Sequence, residues 1–172
     1  MPALENVVVE GGGRATSFEA LWEKVGGLVR VVQLELGGMS THDVRKIVNA
    51  CPELEELNFR IGCGFLNWWN PMDDPFFYAY VVARGHVHDT LQRLGICVDV
   101  DVDLDAQDHE WPVNTWIALA EFVGDWKSCP ALRQVVLYVR DVQVAERNPQ
   151  FHLFHGELAS SGRELLLRSV RI

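Results

Sequence analysis

The densest group of reactive side chains in the sequence is an acidic tract. Asp99, Asp101, Asp103 and Glu110 fall at positions 1, 3, 5 and 12 of a calcium-binding loop. Position 6 holds Leu104, where the sharp turn of such a loop requires glycine. Strict alternation of Asp with apolar residues instead fits a strand whose carboxylates share one face, ~6.5–7 Å apart. We therefore expect a solvated acidic face, with calcium binding kept as an alternative.

The histidines form the second group with possible chemistry. His86 and His88 make an H-x-H pair, and His152 and His155 lie three residues apart on a predicted helix. Zinc requires three or four converging ligands, and neither pair belongs to an H-E-x-x-H motif. We expect no metal and no cofactor. The alternative function is a small α/β enzyme that uses His86 or His88 with the carboxylates of residues 99–110.

Motifs for nucleophilic catalysis and phosphate binding are absent from the sequence. It contains neither a G-x-S-x-G elbow nor a G-x-x-x-x-G-K-[ST] loop. Cys51, Cys63, Cys97 and Cys129 are far apart and form no C-x-x-C pair. The sequence predicts a non-enzymatic protein without catalytic residues, with reduced thiols, located in the cytoplasm or nucleus.

Composition excludes several classes of protein. The 172 residues include 15 Lys and Arg against 24 Asp and Glu, a net charge of −9, and 48% of them are hydrophobic. This balance is typical of a folded domain with a core. The chain has no basic stripe for nucleic acid and no apolar run approaching the ~20 residues that span a bilayer. We expect neither nucleic-acid nor membrane partners.

A repeated apolar pattern positions these side chains. C-P-x-L-x-x-φ-x-φ, where φ is apolar, occurs at 51–59 and 129–137, and 1–9 repeats it with Met first. The L-x-x-L-x-L core recurs with its middle residues at Val7, Leu34, Leu57, Leu94, Val135 and Val170. Because residues two apart in a strand face the same side, each copy predicts a strand. The predicted strands lie near 4–9, 31–36, 54–60, 91–98, 132–139 and 166–172.

Segments with helix-start signals separate these strands. Ser40 or Thr41 can cap a helix that buries Val44, Ile47 and Val48, and Asn148-Pro149 places a cap before a proline at the first helical position. Alternating strands and helices predict an α/β fold with a parallel sheet and helices packed outside it. We expect one domain spanning residues 1–172.

The CP-x-L-x-x-L-x-L units, with the His88–Ile96 variant, resemble the irregular leucine-rich repeats of fungal F-box-like proteins. The resemblance implies a curved solenoid with a concave sheet that recruits proteins, often as the substrate-recognition part of a ubiquitin ligase. No F-box is recognisable in this sequence. A Skp-type adaptor is therefore expected as a partner only if an F-box lies upstream of Met1.

Strand alternation identifies the residues that would contact a protein partner. The outward positions near the middle of the predicted sheet are Glu35, Asn58, Arg60, Arg93, Tyr138 and Arg140, with Glu10 and Arg171 at the ends. Arg and Tyr are typical anchors at protein interfaces. Trp68 and Trp69 lie in an irregular segment that either contacts the partner or folds back over the longer repeat.

The repeat pattern starts and stops on predicted strands. Exposed strand edges leave unpaired backbone groups and apolar surface, which favour pairing with another strand. We therefore expect the chain either to self-associate through open sheet edges or to belong to a longer array. Replacing Val8 by Lys is expected to weaken self-association.

Overall fold

The described part of the fold is a sheet of short strands together with helices from three of its five connections. In a computed structural model, the described residues are 5–9, 19–35, 41–60, 88–98, 129–139, 141–147 and 149–169. The strands are β1 (Asn6–Val9), β2 (Val31–Glu35), β3 (Glu56–Arg60), β4 (Arg93–Val98), β5 (Gln134–Val139) and β6 (Glu164–Ser169). The helices are α1 (Glu19–Val25), α2 (Thr41–Ala50), α3 (Val142–Arg147) and α4 (Pro149–Ser160), and a 3₁₀ helix, Gly26–Leu28, follows α1.

The strands form one parallel sheet in the order of the sequence. The sheet has six strands, β1 to β6, and all five pairings between neighbours are parallel. This confirms the predicted α/β class and the predicted parallel sheet. Parallel neighbours require a crossover connection, which explains why the strands are separated by long segments instead of hairpin turns.

The same backbone hydrogen bonds start each strand. The carbonyl oxygen of Glu5 accepts the N–H groups of Arg30 and Val31, at 3.0 and 2.9 Å. In the same way, two N–H groups at the start of the next strand donate to each of three further carbonyls, those of Arg30, Glu55 and Gln92. The carbonyl of Arg133 accepts one hydrogen bond, from the N–H of Glu164. The described part of each repeat therefore docks on the preceding one through an equivalent main-chain contact.

Pairing between strands corrects two of the predicted alignments. The residues that lie opposite one another are Val7, Val32, Leu57, Leu94, Val135 and Leu165. In β2 the aligned residue is Val32 instead of Leu34, because Val29-x-x-Val32-x-Leu34 fits the pattern equally well. A shift of two residues leaves the side chains on the same face of the sheet. In β6 it is Leu165 instead of Val170, because three successive leucines, 165–167, give no alternation to align.

The core lies between one face of the sheet and the helices. Two rows of strand residues are buried there, including Val32, Leu57 and Leu94 in one row and Leu34 and Ile96 in the other. As predicted, α2 buries Val44, Ile47 and Val48 against these rows, and α4 begins at Pro149 and contributes Phe151, Phe154 and Leu158. Burying each such side chain contributes about 1.5–3 kcal/mol, so this apolar layer holds the repeats together.

Helix α3 was not predicted from the sequence. Its start is fixed by Asp141, whose Oδ1 accepts the backbone N–H of Gln143 at 2.8 Å. This is the usual N-cap interaction, in which a short side chain satisfies one of the N–H groups left free in the first turn. The signal, an aspartate two residues after the predicted strand near 132–139, is present in the sequence.

Candidate protein-binding face

Most of the predicted chemistry lies outside the described residues. The acidic tract 99–110 and His86 belong to that part of the chain, so neither the calcium alternative nor the enzyme alternative is tested by geometry. His88 is described and is only 8% exposed. Within the described ranges, no group of three or more His, Cys, Asp or Glu side chains is arranged to hold a metal ion.

His88 occupies a repeated structural position shared with two cysteines. Cys51, His88 and Cys129 each lie six residues before an aligned core residue, namely Leu57, Leu94 and Val135. The backbone N–H groups of Leu54 and Leu132 donate to the carbonyls of Cys51 and Cys129, both at 3.1 Å. These positions therefore form the turn that leads into each strand.

The environment of the two thiols makes them unreactive. Burial raises the pKa of Cys51 from 9.0 to about 11. Burial also raises the pKa of Cys129 to about 11, although a backbone hydrogen bond from His88 and the charge of Arg163 oppose the shift. Since the thiolate is the nucleophile and the metal ligand, neutral buried thiols act here as small packing groups.

Side-chain contacts fix His88 between two repeats. Its Nε2 lies 3.5 Å from the carbonyl oxygen of Val48, and its Nδ1 lies 3.4 Å from the hydroxyl of Thr90. The Thr90 hydroxyl is also within 3.0 Å of the Pro52 carbonyl and 2.9 Å of the Leu54 carbonyl. A hydroxyl has one proton, so it donates to one of these oxygens at a time. His88 and Thr90 thus connect the turn before β4 to the segment before β3.

The opposite face of the sheet is the surface on which polar chemistry is concentrated. We define the open face as the strand positions that alternate with the core rows. These are 6 and 8 in β1, 31, 33 and 35 in β2, 56, 58 and 60 in β3, 93, 95 and 97 in β4, 134, 136 and 138 in β5, and 164, 166 and 168 in β6.

A ladder of side-chain hydrogen bonds crosses the open face from β3 to β6. Arg93 Nε donates to Gln134 Oε1 at 3.0 Å, and Arg93 Nη1 donates to Glu56 Oε2 at 3.3 Å. Asn58 Nδ2 donates to Glu56 Oε1 at 2.9 Å, and Gln134 Nε2 donates to Glu164 Oε2 at 2.8 Å. These bonds hold the polar groups in fixed positions, and preorganised groups of this kind lose less entropy in any contact they make.

Gly95, which has no side chain, lets neighbouring side chains pack against the backbone at the centre of the open face. A Cβ at position 95 would lie 1.9 Å from Asn58 Oδ1 and 3.1 Å from Cε2 of Tyr138. The side chains of Asn58 and Tyr138 therefore both occupy the space beside the Gly95 backbone, and Val136 on the same face is 1% exposed. Asn58 Oδ1 is buried and has no hydrogen-bond partner among the residues that the structure describes, although the Nδ2 atom of the same amide bonds to Glu56. An orphaned acceptor of this kind costs free energy until a donor reaches it.

The charges of the open face are balanced, unlike those of the whole chain. Three arginines, Arg60, Arg93 and Arg168, match three glutamates, Glu35, Glu56 and Glu164, whereas the whole chain has a net charge of −9. The open face contains no lysine and no aspartate. Interface cores favour Arg and Tyr, which this face contains, and are depleted in Lys, Asp and Glu, of which it carries only the three glutamates.

The structure describes half of the predicted partner-binding residues and brings these together on the open face. Asn58, Arg60, Arg93 and Tyr138 are half-buried on the open face, and Glu35 occupies an open-face strand position. Four other predicted contact residues lie outside the described residues: Arg140, Arg171, Trp68 and Trp69. Glu10 lies outside them as well.

Three members of the hydrogen-bond ladder were missed from the sequence. Glu56 and Gln134 follow from the same alternation, two residues before Asn58 and four before Tyr138, and they were omitted although the signal was there. Glu164, at the sheet edge, is missed because the repeat pattern places the sixth strand five residues too late. An alternation pattern identifies the open face only when the start of each strand is also known.

Comparisons with protein-family models, with curated proteins and with solved structures found no match for this sequence. Among the helices that the structure describes, none is long and apolar enough to cross a membrane.

Proposed function

We propose that this chain is a non-catalytic module that binds another protein across the open face. The observation that supports the proposal is the ladder from Asn58 through Glu56, Arg93 and Gln134 to Glu164, which holds polar groups in fixed positions on one side of the sheet. The opposite side of the sheet is occupied by the core and cannot serve this purpose.

The proposed partner is a protein whose contact surface carries charges of both signs. A net-neutral face gives no local preference for a strongly basic or a strongly acidic surface. It selects by local matching, in which an arginine meets a carboxylate and a glutamate meets a cation. Tyr138, half-buried beside Gly95, supplies an aromatic surface of the kind that anchors interfaces.

The module is, in this proposal, a leucine-rich-repeat solenoid. The equivalent hydrogen bonds at the start of successive strands and the aligned rows of apolar residues support this assignment. A role in recognising substrates of an F-box-type ubiquitin ligase remains a proposal based on the resemblance alone. In that case a Skp-type adaptor binds only when an F-box precedes this segment, and the isolated 172 residues bind the substrate without it.

Site-specific photo-cross-linking in cells tests the proposal. A photoreactive amino acid replaces Gln33, a half-buried open-face residue on β2, or Glu157, an exposed residue of α4 on the other side of the sheet. We expect a discrete cross-linked protein from position 33 and none from position 157. Equal cross-linking from the two positions, or cross-linking from position 157 alone, contradicts the proposal.

A further inference from the structure

The edge strand β6 has a sequence that is complementary to itself. Within the described residues, β6 pairs with β5 only and therefore forms one end of the sheet. Its first five residues read Glu164-Leu165-Leu166-Leu167-Arg168. The two charged residues are exposed, and Leu166 and Leu167 are half-buried. An exposed edge of this kind is a template for another strand.

Backbone geometry determines which residues can hydrogen-bond across this edge. The N–H of Glu164 donates to the carbonyl of Arg133 in the chain segment leading into β5, at 2.8 Å. Successive residues of a strand direct their N–H and C=O groups to opposite sides. The backbone groups that face β5 are therefore those of Glu164, Leu166 and Arg168. Leu165 and Leu167 therefore direct their N–H and C=O groups toward the outer edge.

An antiparallel pairing of two β6 strands satisfies these groups. Centred on Leu166, it places Leu165 opposite Leu167 of the second copy as a hydrogen-bonded pair, using the groups that face outward. The same alignment places Glu164 opposite Arg168 of the second copy, twice by symmetry. These are non-hydrogen-bonded pairs, in which opposed side chains lie closest.

Alternative alignments lose this match. Sliding one strand by two residues places Glu164 opposite a leucine and leaves the charges without a partner. On the open face the hydrogen-bond ladder ends at Glu164, whose Oε2 accepts the bond from Gln134. Glu164 Oε1 makes no hydrogen bond among the described residues and is the acceptor that Arg168 of a second copy would reach.

We propose that two copies of this chain pair edge to edge through β6, antiparallel, to form a two-fold symmetric dimer. The occupant of the edge is a second copy because opposite charges and outward backbone groups match in one alignment. Opposed residues of an antiparallel pair share a face, so both open faces lie on the same side of one continuous sheet. A two-fold arrangement is closed, which limits association to a dimer.

The edge at β1 is the competing site for association. Val8 on β1 is 56% exposed on the open face. Pairing of β1 with β6 of another copy would be parallel and head-to-tail, which produces open-ended chains of molecules. The sequence alone predicts that Val8→Lys weakens self-association, which is the outcome of pairing through β1. Pairing through β6 leaves the dimer intact in this variant, so Val8→Lys separates the two modes.

Sedimentation equilibrium of the full 172-residue chain at micromolar concentrations tests the proposal. We expect a monomer–dimer equilibrium for the wild type and for Val8→Lys. Arg168→Glu places glutamates opposite each other, and Glu164→Arg does the same with arginines. Each is expected to raise the dissociation constant at least about tenfold. Both residues are exposed, so circular dichroism of the variants should be unchanged.

Mixing the two charge variants provides the decisive control. A Glu164→Arg chain and an Arg168→Glu chain present opposite charges to each other at both pairs, so an equimolar mixture is expected to recover the dimer. A wild-type chain that is monomeric at every concentration overturns the proposal. Dissociation caused by Val8→Lys, or a mixture that stays monomeric, overturns it equally.

Discussion

Replacing Gly26 with alanine tests how closely consecutive repeats pack. Gly26 lies six residues before the aligned residue Val32, where the later repeats have Cys51, His88 and Cys129. A Cβ at Gly26 would lie 1.9 Å from the carbonyl oxygen of Ala50 and 2.8 Å from its carbonyl carbon. The oxygen contact is about 1 Å closer than real Cβ atoms tolerate, and both atoms belong to the backbone.

The size of the effect follows from what has to move. Gly26 does not have a positive φ, so alanine adds no backbone strain and the cost is the clash itself. Relieving it requires displacing the C-terminal end of α2 from the turn before β2, and overpacking of this kind costs about 1–3 kcal/mol. Because the obstacle is backbone next to the buried residue Cys51, we expect a loss near the upper end of this range.

Gly27 is the matched control for this substitution. It belongs to the same 3₁₀ helix, and a Cβ there meets nothing within 4 Å. Alanine at Gly27 restricts the unfolded chain and is expected to stabilise the protein by about 0.4–1 kcal/mol. The free energies of unfolding of the two variants are therefore expected to differ by about 3 kcal/mol, with Gly26→Ala the less stable.

Urea denaturation followed by the fluorescence of the tryptophans, which include the buried Trp22, measures this difference. With a slope of about 1–3 kcal/mol per molar urea, the midpoints of the two variants should be about 1 M apart or more. Equal midpoints for Gly26→Ala and Gly27→Ala would refute the packing described here for α2 against the turn before β2.

Three further measurements test other parts of the molecule. Gly95→Ala forces a side chain off the open face and is expected to cost about 1 kcal/mol in urea denaturation, whereas the control Gly156→Ala, which meets no atom, should stabilise α4 by about 0.5–1 kcal/mol. Burial raises the pKa of the Cys51 and Cys129 thiols from 9.0 to about 11, so the folded state holds these two protons more tightly than the unfolded state does. The melting temperature should therefore fall as the pH rises from 9.0 towards 11. It should fall less steeply in Cys51→Ala, which lacks one of the two thiols. Calorimetry should detect no micromolar calcium binding, and micromolar binding lost in Asp101→Asn would contradict the interpretation of the acidic tract as a solvated face.

The arrangement of the sheet could be predicted from the sequence because the apolar pattern is strongly periodic. The spacing around Leu57, Leu94 and Val135 located three strands, and their parallel order follows from the long connections. Core residues of α2 were predicted for the same reason, since a capping residue and helical spacing occur together at Thr41–Ala50.

Alignment of the terminal strands could not be predicted in this way. Three successive leucines in β6 are compatible with either face of a sheet, and tertiary pairing with β5 decides between them. The hydrogen-bond ladder also escaped prediction as a unit. Each bond joins residues from different strands, such as Arg93 and Gln134, which become neighbours only through the pairing of β4 with β5.

Binding of a protein to the open face can be measured as an affinity. The protein that cross-links from position 33 is titrated in a calorimeter into the wild-type chain, into Tyr138→Ala and into Glu157→Ala. The dissociation constants of the three complexes are then compared. If the open face is the binding surface, Tyr138→Ala should weaken binding by about thirtyfold, the effect of losing an interface anchor, while Glu157→Ala leaves the affinity unchanged. Unchanged affinity for Tyr138→Ala together with weakened binding by Glu157→Ala would contradict the account.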